Sequence, residues 1–222
     1  MKEKRFQKIY VEITNRCNLK CSFCLDGKRQ KRFMTIDEFK VVIRKIKDFT
    51  NLIALHVKGE PLLHLELKEI LNICYEEDIL VNITTNATLL EKRLETILSS
   101  KAVRQLNLSL HSINKNENTK LYNVESYLEE VFRVSKIILN NSNIIISYRL
   151  WNLDSLENNE ENETILLKMQ EEFNVELTTY KSKTIEFEKR KRFEVSKIQS
   201  NTIKEYDELQ KLLLQENKKS EI

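Results

Sequence analysis

The sequence predicts an α/β fold, a partial (β/α)6 TIM-like barrel of parallel strands with a short helical C-terminal tail. Three observations carry this. Short runs rich in β-branched residues alternate with stretches of helical periodicity, the pattern of parallel βαβ units. Six such units follow one another with no reversal signal, which favours a curved, barrel-like sheet over an open one. Breakers are scarce: the 222 residues hold two glycines and one proline, where average usage predicts roughly 16 and about 11. That scarcity excludes collagen-like, Gly/Ser-linker and Pro-rich architectures. It also marks the few breakers present, Gly27, Gly59 and Pro61, as placed for a reason.

The elements follow in order. Residues 8–14 (KIYVEIT) alternate and read as the first strand. Residues 35–49 carry Ile36, Phe39, Val42, Ile43, Ile46 and Phe49 at helical spacing, and Thr35 with Glu38 forms a capping-box pattern at the start. Strands are expected at 52–57, 79–84, 105–110 and 144–150, with a sixth at 175–179. Helices are expected at 66–75, 89–98, 126–139 and 164–173. Residues 155–164 form an acidic, asparagine-rich linker. The rhythm then breaks. Residues 180–197 hold seven basic and three acidic side chains, and 202–214 read as a helix with Ile203, Tyr206, Leu209, Leu212 and Leu213 on one face. The domain division is therefore a core over 1–180 and a basic segment with a C-terminal helix over 181–222.

Composition bounds the function. A hydrophobic fraction of 41% supports a real core. The formal charge is 37 − 34 = +3, which does not point to nucleic acid. No run approaches the ~20 apolar residues of a membrane span, and no apolar signal core follows the basic N-terminus. The expected location is the cytoplasm, where cysteines are more often metal-binding or catalytic than disulfide-bonded.

Four cysteines are present, and three of them, Cys17, Cys21 and Cys24, fall within eight residues directly after the first strand. Cys74 lies alone in an apolar helical pattern and reads as an ordinary core residue. Three thiolates on one short loop suit three irons of a cubane cluster. The fourth iron would then lack a protein ligand and stay open to chemistry, as the open position of a catalytic zinc does. A structural zinc module and metal-free thiols are the alternatives. For zinc no fourth ligand stands at the usual spacing, and His56, His64 and His111 fall at different strand ends.

Cys17-Asn-Leu-Lys-Cys21-Ser-Phe-Cys24, with Phe23 before the third cysteine, resembles the signature of radical S-adenosylmethionine (SAM) enzymes. The flanking Glu12-Ile-Thr-Asn-Arg-Cys17 is the form found in the branch with peptide- and protein-maturing members (SPASM-type). The resemblance runs over residues 8–180. It implies a [4Fe–4S] cluster on Cys17, Cys21 and Cys24, with Phe23 against the adenine of SAM. Lys58-Gly59-Glu60-Pro61 stands where the family has Gly-Gly-Glu-Pro, implying that Gly59, Glu60 and Pro61 hold the SAM amino group. Thr85-Asn86-Ala87 stands for Thr-Asn-Gly, with Asn86 a cofactor contact, and the alanine disfavours a positive-φ turn. Ser109-Leu110-His111 stands for Ser-Leu-Asp, with Ser109 reaching the ribose or carboxylate and His111 a departure of open role. Arg149 offers a cation for the SAM carboxylate.

The resemblance further implies reductive cleavage of SAM to a 5′-deoxyadenosyl radical, which abstracts hydrogen from a peptide or small-molecule substrate. Strand C-terminal ends would carry the site, as in other barrels. A flavodoxin- or ferredoxin-type donor would supply the electron, and the basic run 28–32 offers it or an acidic substrate a docking edge. Many members of that branch continue into a cysteine-rich C-terminal domain, whereas no cysteine follows Cys74 here. Two expectations result: a minimal enzyme, or a truncated or degenerate relative that binds cluster and SAM without turnover.

Overall fold

The computed structural model describes residues 5–24, 29–114, 123–150 and 160–175. It contains one five-stranded parallel sheet in the order β1-β2-β3-β4-β5. The strands are β1 (Ile9–Val11), β2 (Leu52–Leu55), β3 (Leu80–Thr85), β4 (Val103–Ser109) and β5 (Ile145–Arg149). Between them run α1 (Ile36–Ile46), α2 (Leu67–Glu76), α3 (Leu94–Ser99), the one-turn α4 (His111–Asn114) and α5 (Val124–Asn141), and α6 (Glu160–Phe173) follows β5. Sequential neighbours pair throughout and all pairs are parallel, so each connection is a βαβ crossover. The five parallel strands alternating with helices fit the partial barrel expected. The sixth strand at 175–179, the basic segment and the C-terminal helix lie outside the described residues.

Two helices are capped by their own sequence, while α3 starts later than expected, at Leu94, and α6 earlier, at Glu160, within the expected linker. Thr35 accepts from the Glu38 N–H while Glu38 reaches back to the Thr35 N–H, so the capping box on α1 is complete. Asn123 caps α5 by accepting from the N–H groups of Glu125 and Ser126. The first strand is shorter than its alternation suggested. Past Val11 the chain leaves the ladder, and Thr14 forms an isolated antiparallel bridge with Phe33.

The core lies between the sheet and the helices. Val81 and Ile83 of β3, Leu106 and Leu108 of β4, and Ile146 and Tyr148 of β5 are all buried against Leu71, Cys74, Ile97, Leu128, Val131 and Phe132 from the helices. Cys74 is thus the core residue expected. The alternate positions of the same strands, Asn82, Thr84, Gln105, Asn107, Ser109, Ser147 and Arg149, face the other way. This opposite surface is called the inner face below.

Candidate active site and cofactor loops

The site is built where β1 to β4 end. After β1 the chain runs through Thr14 and Arg16 into the three cysteines. After β2 it runs through Lys58, Gly59 and Glu60 into a short 3₁₀ turn (Pro61–Leu63). These two loops meet backbone to backbone. Gly59 has φ +77°, and a Cβ placed there would stand 2.4 Å from the Thr14 carbonyl oxygen and 2.8 Å from that of Arg16. Only glycine fits both the left-handed backbone and the close approach. The Glu60 N–H completes the junction by donating to the Arg16 carbonyl at 2.7 Å.

Glu60 is 1% exposed. One carboxyl oxygen accepts from the Leu62 N–H at 2.9 Å and the other from the Asn86 N–H at 2.8 Å. Burial pushes its carboxyl up to about 7, against the opposing pull of those two donors. Both oxygens are therefore engaged within the protein, and Glu60 ties the loop after β2 to the loop after β3. Pro61 is buried at the first position of the 3₁₀ turn, where its missing N–H costs nothing. Arg93 holds that turn from outside, donating to the carbonyls of Leu62 and His64.

Asn86 is the second hub. Its Nδ2 donates to Asn18 Oδ1 at 3.0 Å and points at the Cys17 sulfur at 3.7 Å. Its Oδ1 accepts from the N–H and hydroxyl of Thr88. Its carbonyl accepts from the Tyr127 hydroxyl at 2.8 Å. Ala87 follows at φ +62°, so the left-handed turn that glycine would favour forms with alanine instead. The side chain is fully buried, and packing offsets a backbone cost of about 1–2 kcal/mol.

The cysteine loop is braced from three sides. The Leu19 N–H donates to the Cys17 sulfur at 3.4 Å, the Cys21 thiol points at the Ser112 carbonyl at 3.4 Å, and the Phe23 and His111 rings lie 5.2 Å apart. Cys17 and Cys24 keep exposed surface and Cys21 is half-buried. Burial pushes the Cys17 thiol up, and pushes Cys21 up to about 12 with help from the charges of Cys17 and Cys24. Such thiols stay protonated near neutrality unless a metal takes them as thiolates. Two N–H donors aimed at the Cys17 sulfur are the contacts that stabilise a thiolate ligand and tune a cluster. The donor set therefore fits an iron–sulfur cluster. Among the described residues, no three His, Cys, Asp or Glu side chains converge as one metal ion would need. A cubane meets its three cysteines at separate irons, so they need not converge.

Ser109 ends β4 opposite Arg149 of β5 in register. His111 is 8% exposed, and its Nδ1 lies 3.1 Å from the Arg149 carbonyl. That contact places the ring proton on Nδ1. Burial holds His111 down at about 4, neutral at physiological pH. The departure from the usual acidic residue thus supplies an uncharged brace for Phe23. His64, by contrast, is satisfied structurally by the Met34 carbonyl and the Glu66 N–H. In the basic run, Arg29 pairs with Glu12 and Arg32 with Glu38, which consumes part of the charge that a docking partner would read.

His56 follows β2, with its ring 6.1 Å from that of Tyr10. Burial, then the nearby charges of Arg149 and Lys8, hold it down at about 4 from 6.5. A folded value below the unfolded one means that stability is fully present above about pH 6.5 and is lost as pH falls towards 4. Wild type is expected to lose roughly 2–3 kcal/mol over that window that His56→Gln does not lose. Melting temperatures of both proteins from pH 4 to 8 check this. Parallel curves would remove His56 as the cause.

Sequence reasoning missed Asn18, Tyr127 and Glu12, whose carboxylate accepts from the Lys58 N–H. Asn18 had a local signal, lying inside the cysteine motif. Tyr127 had none, because its contact spans 41 residues.

Residues 11–165 match the family model of the Radical SAM superfamily. The GTP 3′,8-cyclase of Aquifex aeolicus (strain VF5) is 33% identical over 132 residues, 56% of this chain and 41% of the relative. A probable GTP 3′,8-cyclase of Methanococcus maripaludis (strain C5) is 32% identical over 123 residues, 52% of this chain and 41% of the relative. The chain thus matches about two fifths of the length of these relatives. Among solved structures, Streptococcus suis SuiB bound to S-adenosylmethionine superposes with a TM-score of 0.54 at 20% identity, over 76% of this chain and 39% of that one. That likeness is one of fold. With the family model covering most of the chain, and the three cysteines, Gly59 and Glu60 gathered at the strand ends, this protein belongs to the radical SAM superfamily.

Proposed function

We propose that this chain is a radical SAM enzyme acting on a small-molecule substrate. Cys17, Cys21 and Cys24 are its cluster ligands, and Gly59, Glu60, Pro61, Ser109 and Arg149 are its SAM-binding residues. The observation that supports it most is the direct seam between the two loops: Gly59 and Glu60 abut the backbone of Thr14 and Arg16, one residue before Cys17. A ligand held by one loop is then held at the other.

When bound, the reduced cluster supplies one electron and SAM supplies the 5′-deoxyadenosyl group that takes hydrogen from substrate. The residues position those groups. Leu19 and Asn86 direct N–H donors at Cys17. Glu60 fixes the loop after β2, and its second lone pairs, beside the backbone carbonyls of that loop, receive an ammonium. Asn86 acts through Cys17 and Asn18, so it is a positioning residue in this reading. Phe23, packed against His111 beside the cysteines, is the aromatic ring proposed to meet the adenine. A flavodoxin- or ferredoxin-type donor remains the proposed electron source.

The relatives matched by sequence are named as GTP 3′,8-cyclases, which supports the small-molecule reading. A peptide substrate rests on the sequence around Cys17 alone. No helix among the described residues is long and apolar enough to cross a membrane. The test is anaerobic reconstitution with iron and sulfide, reduction, addition of SAM and assay of 5′-deoxyadenosine. Formation of 5′-deoxyadenosine is expected. A cluster without cleavage would favour the degenerate reading, and zinc uptake in place of iron would sink both.

A further inference from the structure

Three side chains beside the cysteine loop close a hydrogen-bonded ring. Asn18 Nδ2 donates to the Thr88 hydroxyl at 2.7 Å. The Thr88 hydroxyl donates to Asn86 Oδ1 at 2.7 Å, and Asn86 Nδ2 donates to Asn18 Oδ1 at 3.0 Å. Asn18 and Thr88 are half-buried, and Asn86 is buried.

One backbone group sets the direction of the whole ring. The Thr88 N–H donates at 3.1 Å to the same Asn86 atom that the hydroxyl meets. A backbone N–H can only donate, so that atom is the carboxamide oxygen and its neighbour is the NH2 group. The NH2 group of Asn86 then meets the oxygen of Asn18, which leaves the Asn18 NH2 group for the Thr88 hydroxyl. That hydroxyl accepts from Asn18, so its own proton goes to Asn86. Flipping either amide would set donor against donor or acceptor against acceptor. The left-handed backbone at Ala87 turns the Thr88 N–H back onto the Asn86 side chain.

Asn86 Nδ2 carries two protons. Asn18 takes one, and the other lies toward Cys17 Sγ at 3.7 Å. The Asn86 backbone is fixed from behind, its N–H by Glu60 and its carbonyl by the Tyr127 hydroxyl. The ring therefore presents the Cys17 sulfur with a donor and never with the carboxamide oxygen.

We propose that the Asn18–Thr88–Asn86 ring is a positioning device that holds the Asn86 N–H on Cys17 and so raises the reduction potential of the cluster bound there. This deepens the proposed function and rests on Cys17 as a cluster ligand. Hydrogen bonds to the ligand sulfurs are among the determinants of iron–sulfur potentials. A donor stabilises the more negative, reduced state more than the oxidised one, so its loss makes reduction harder. Thr88 acts through Asn86 and not on the cysteine itself.

The full chain, reconstituted anaerobically, is titrated with graded reductants, and the reduced cluster is read by electron paramagnetic resonance. Thr88→Val removes the hydroxyl and keeps the shape and the N–H. It shifts the reduction equilibrium ~3-fold toward the oxidised cluster, with the iron content of wild type. Thr88→Ser keeps the hydroxyl and titrates as wild type. Asn86→Asp keeps the acceptor for Thr88 and replaces the donor with a carboxylate oxygen. Its shift is ~10-fold in the same direction, about 59 mV for one electron. A residue that only props up the loop would change stability or iron content and leave the potential where it was. A wild-type potential in Thr88→Val, a shift toward easier reduction, or an equal shift in Thr88→Ser overturns the proposal. Should Asn86→Asp take up no iron, the two Thr88 variants decide. Formation of 5′-deoxyadenosine is assayed on the same samples. Potentials that move as expected without SAM cleavage sink the proposed enzyme and leave the ring standing. A wild type that takes up no iron overturns both.

Discussion

Cys21→Ala abolishes iron uptake and with it the formation of 5′-deoxyadenosine. Burial pushes the Cys21 thiol up to about 12, and it points at the Ser112 carbonyl in the one-turn α4 that follows β4. A thiol in that position remains neutral in the metal-free chain, and a metal must supply the charge that makes it a thiolate. Alanine leaves one iron without a protein ligand and two cysteines to hold the rest. The fold itself should survive, because Cys21 belongs to a loop outside the core cluster. The measurement is iron and sulfide content after anaerobic reconstitution, with circular dichroism as the control. Iron content equal to wild type would refute the ligand assignment.

Gly59→Ala is expected to be the most damaging single methyl group in the protein. A left-handed backbone costs a non-glycine residue about 1–2 kcal/mol. The new Cβ also stands 2.4 Å from the Thr14 carbonyl, a backbone atom that cannot swing aside. Overpacking of that kind costs about 1–3 kcal/mol further. The sum, roughly 2–5 kcal/mol, is a large share of the ~5–15 kcal/mol that holds a domain together. Urea denaturation of the metal-free protein gives the figure directly. A loss below about 1 kcal/mol would mean that the two loops separate easily and that the seam is not what joins them. Ala87 makes a useful contrast. It has the same left-handed backbone, yet its side chain is already accommodated in the core, so Ala87→Gly should be mild.

The comparison of these two positions shows how far the sequence could be read. Gly59 was conspicuous because breakers are so rare, and the structure gives it a steric reason. Ala87 was read as a departure from a turn, and the turn forms regardless, because burial outweighs a modest backbone penalty. The strands and helices were legible for the same reason throughout: β-branched alternation and 3.6-residue periodicity are local. The three cysteines were legible because their spacing is local too. The role of Glu60 was not. Its residue type and position suggested a partner for an ammonium group, but not that each of its oxygens also accepts from an N–H group, two and 26 residues away. Asn86 likewise faces Cys17 and Asn18 across about 70 residues of chain. No window of sequence shows a contact of that span. The polar layers of the inner face are visible as alternation in β3 and β4, but alternation alone does not say which face the helices cover.

The bracing of the cysteine loop also sets an order of events during synthesis. Asn18 hydrogen-bonds Thr88, 70 residues on, and Cys21 reaches Ser112, 91 residues on. The ligands emerge from the ribosome among the first residues, yet the contacts that shape them arrive only after four strands have been made and docked. Contacts this distant in sequence form late, because their loop-closure entropy must be met first. A nascent chain therefore exposes three pliable cysteines well before it can grip a cluster. Iron and sulfide delivered to a chain ending before Ser112 would find thiols without their brace, so such a chain is expected to retain less iron after anaerobic reconstitution than the full one.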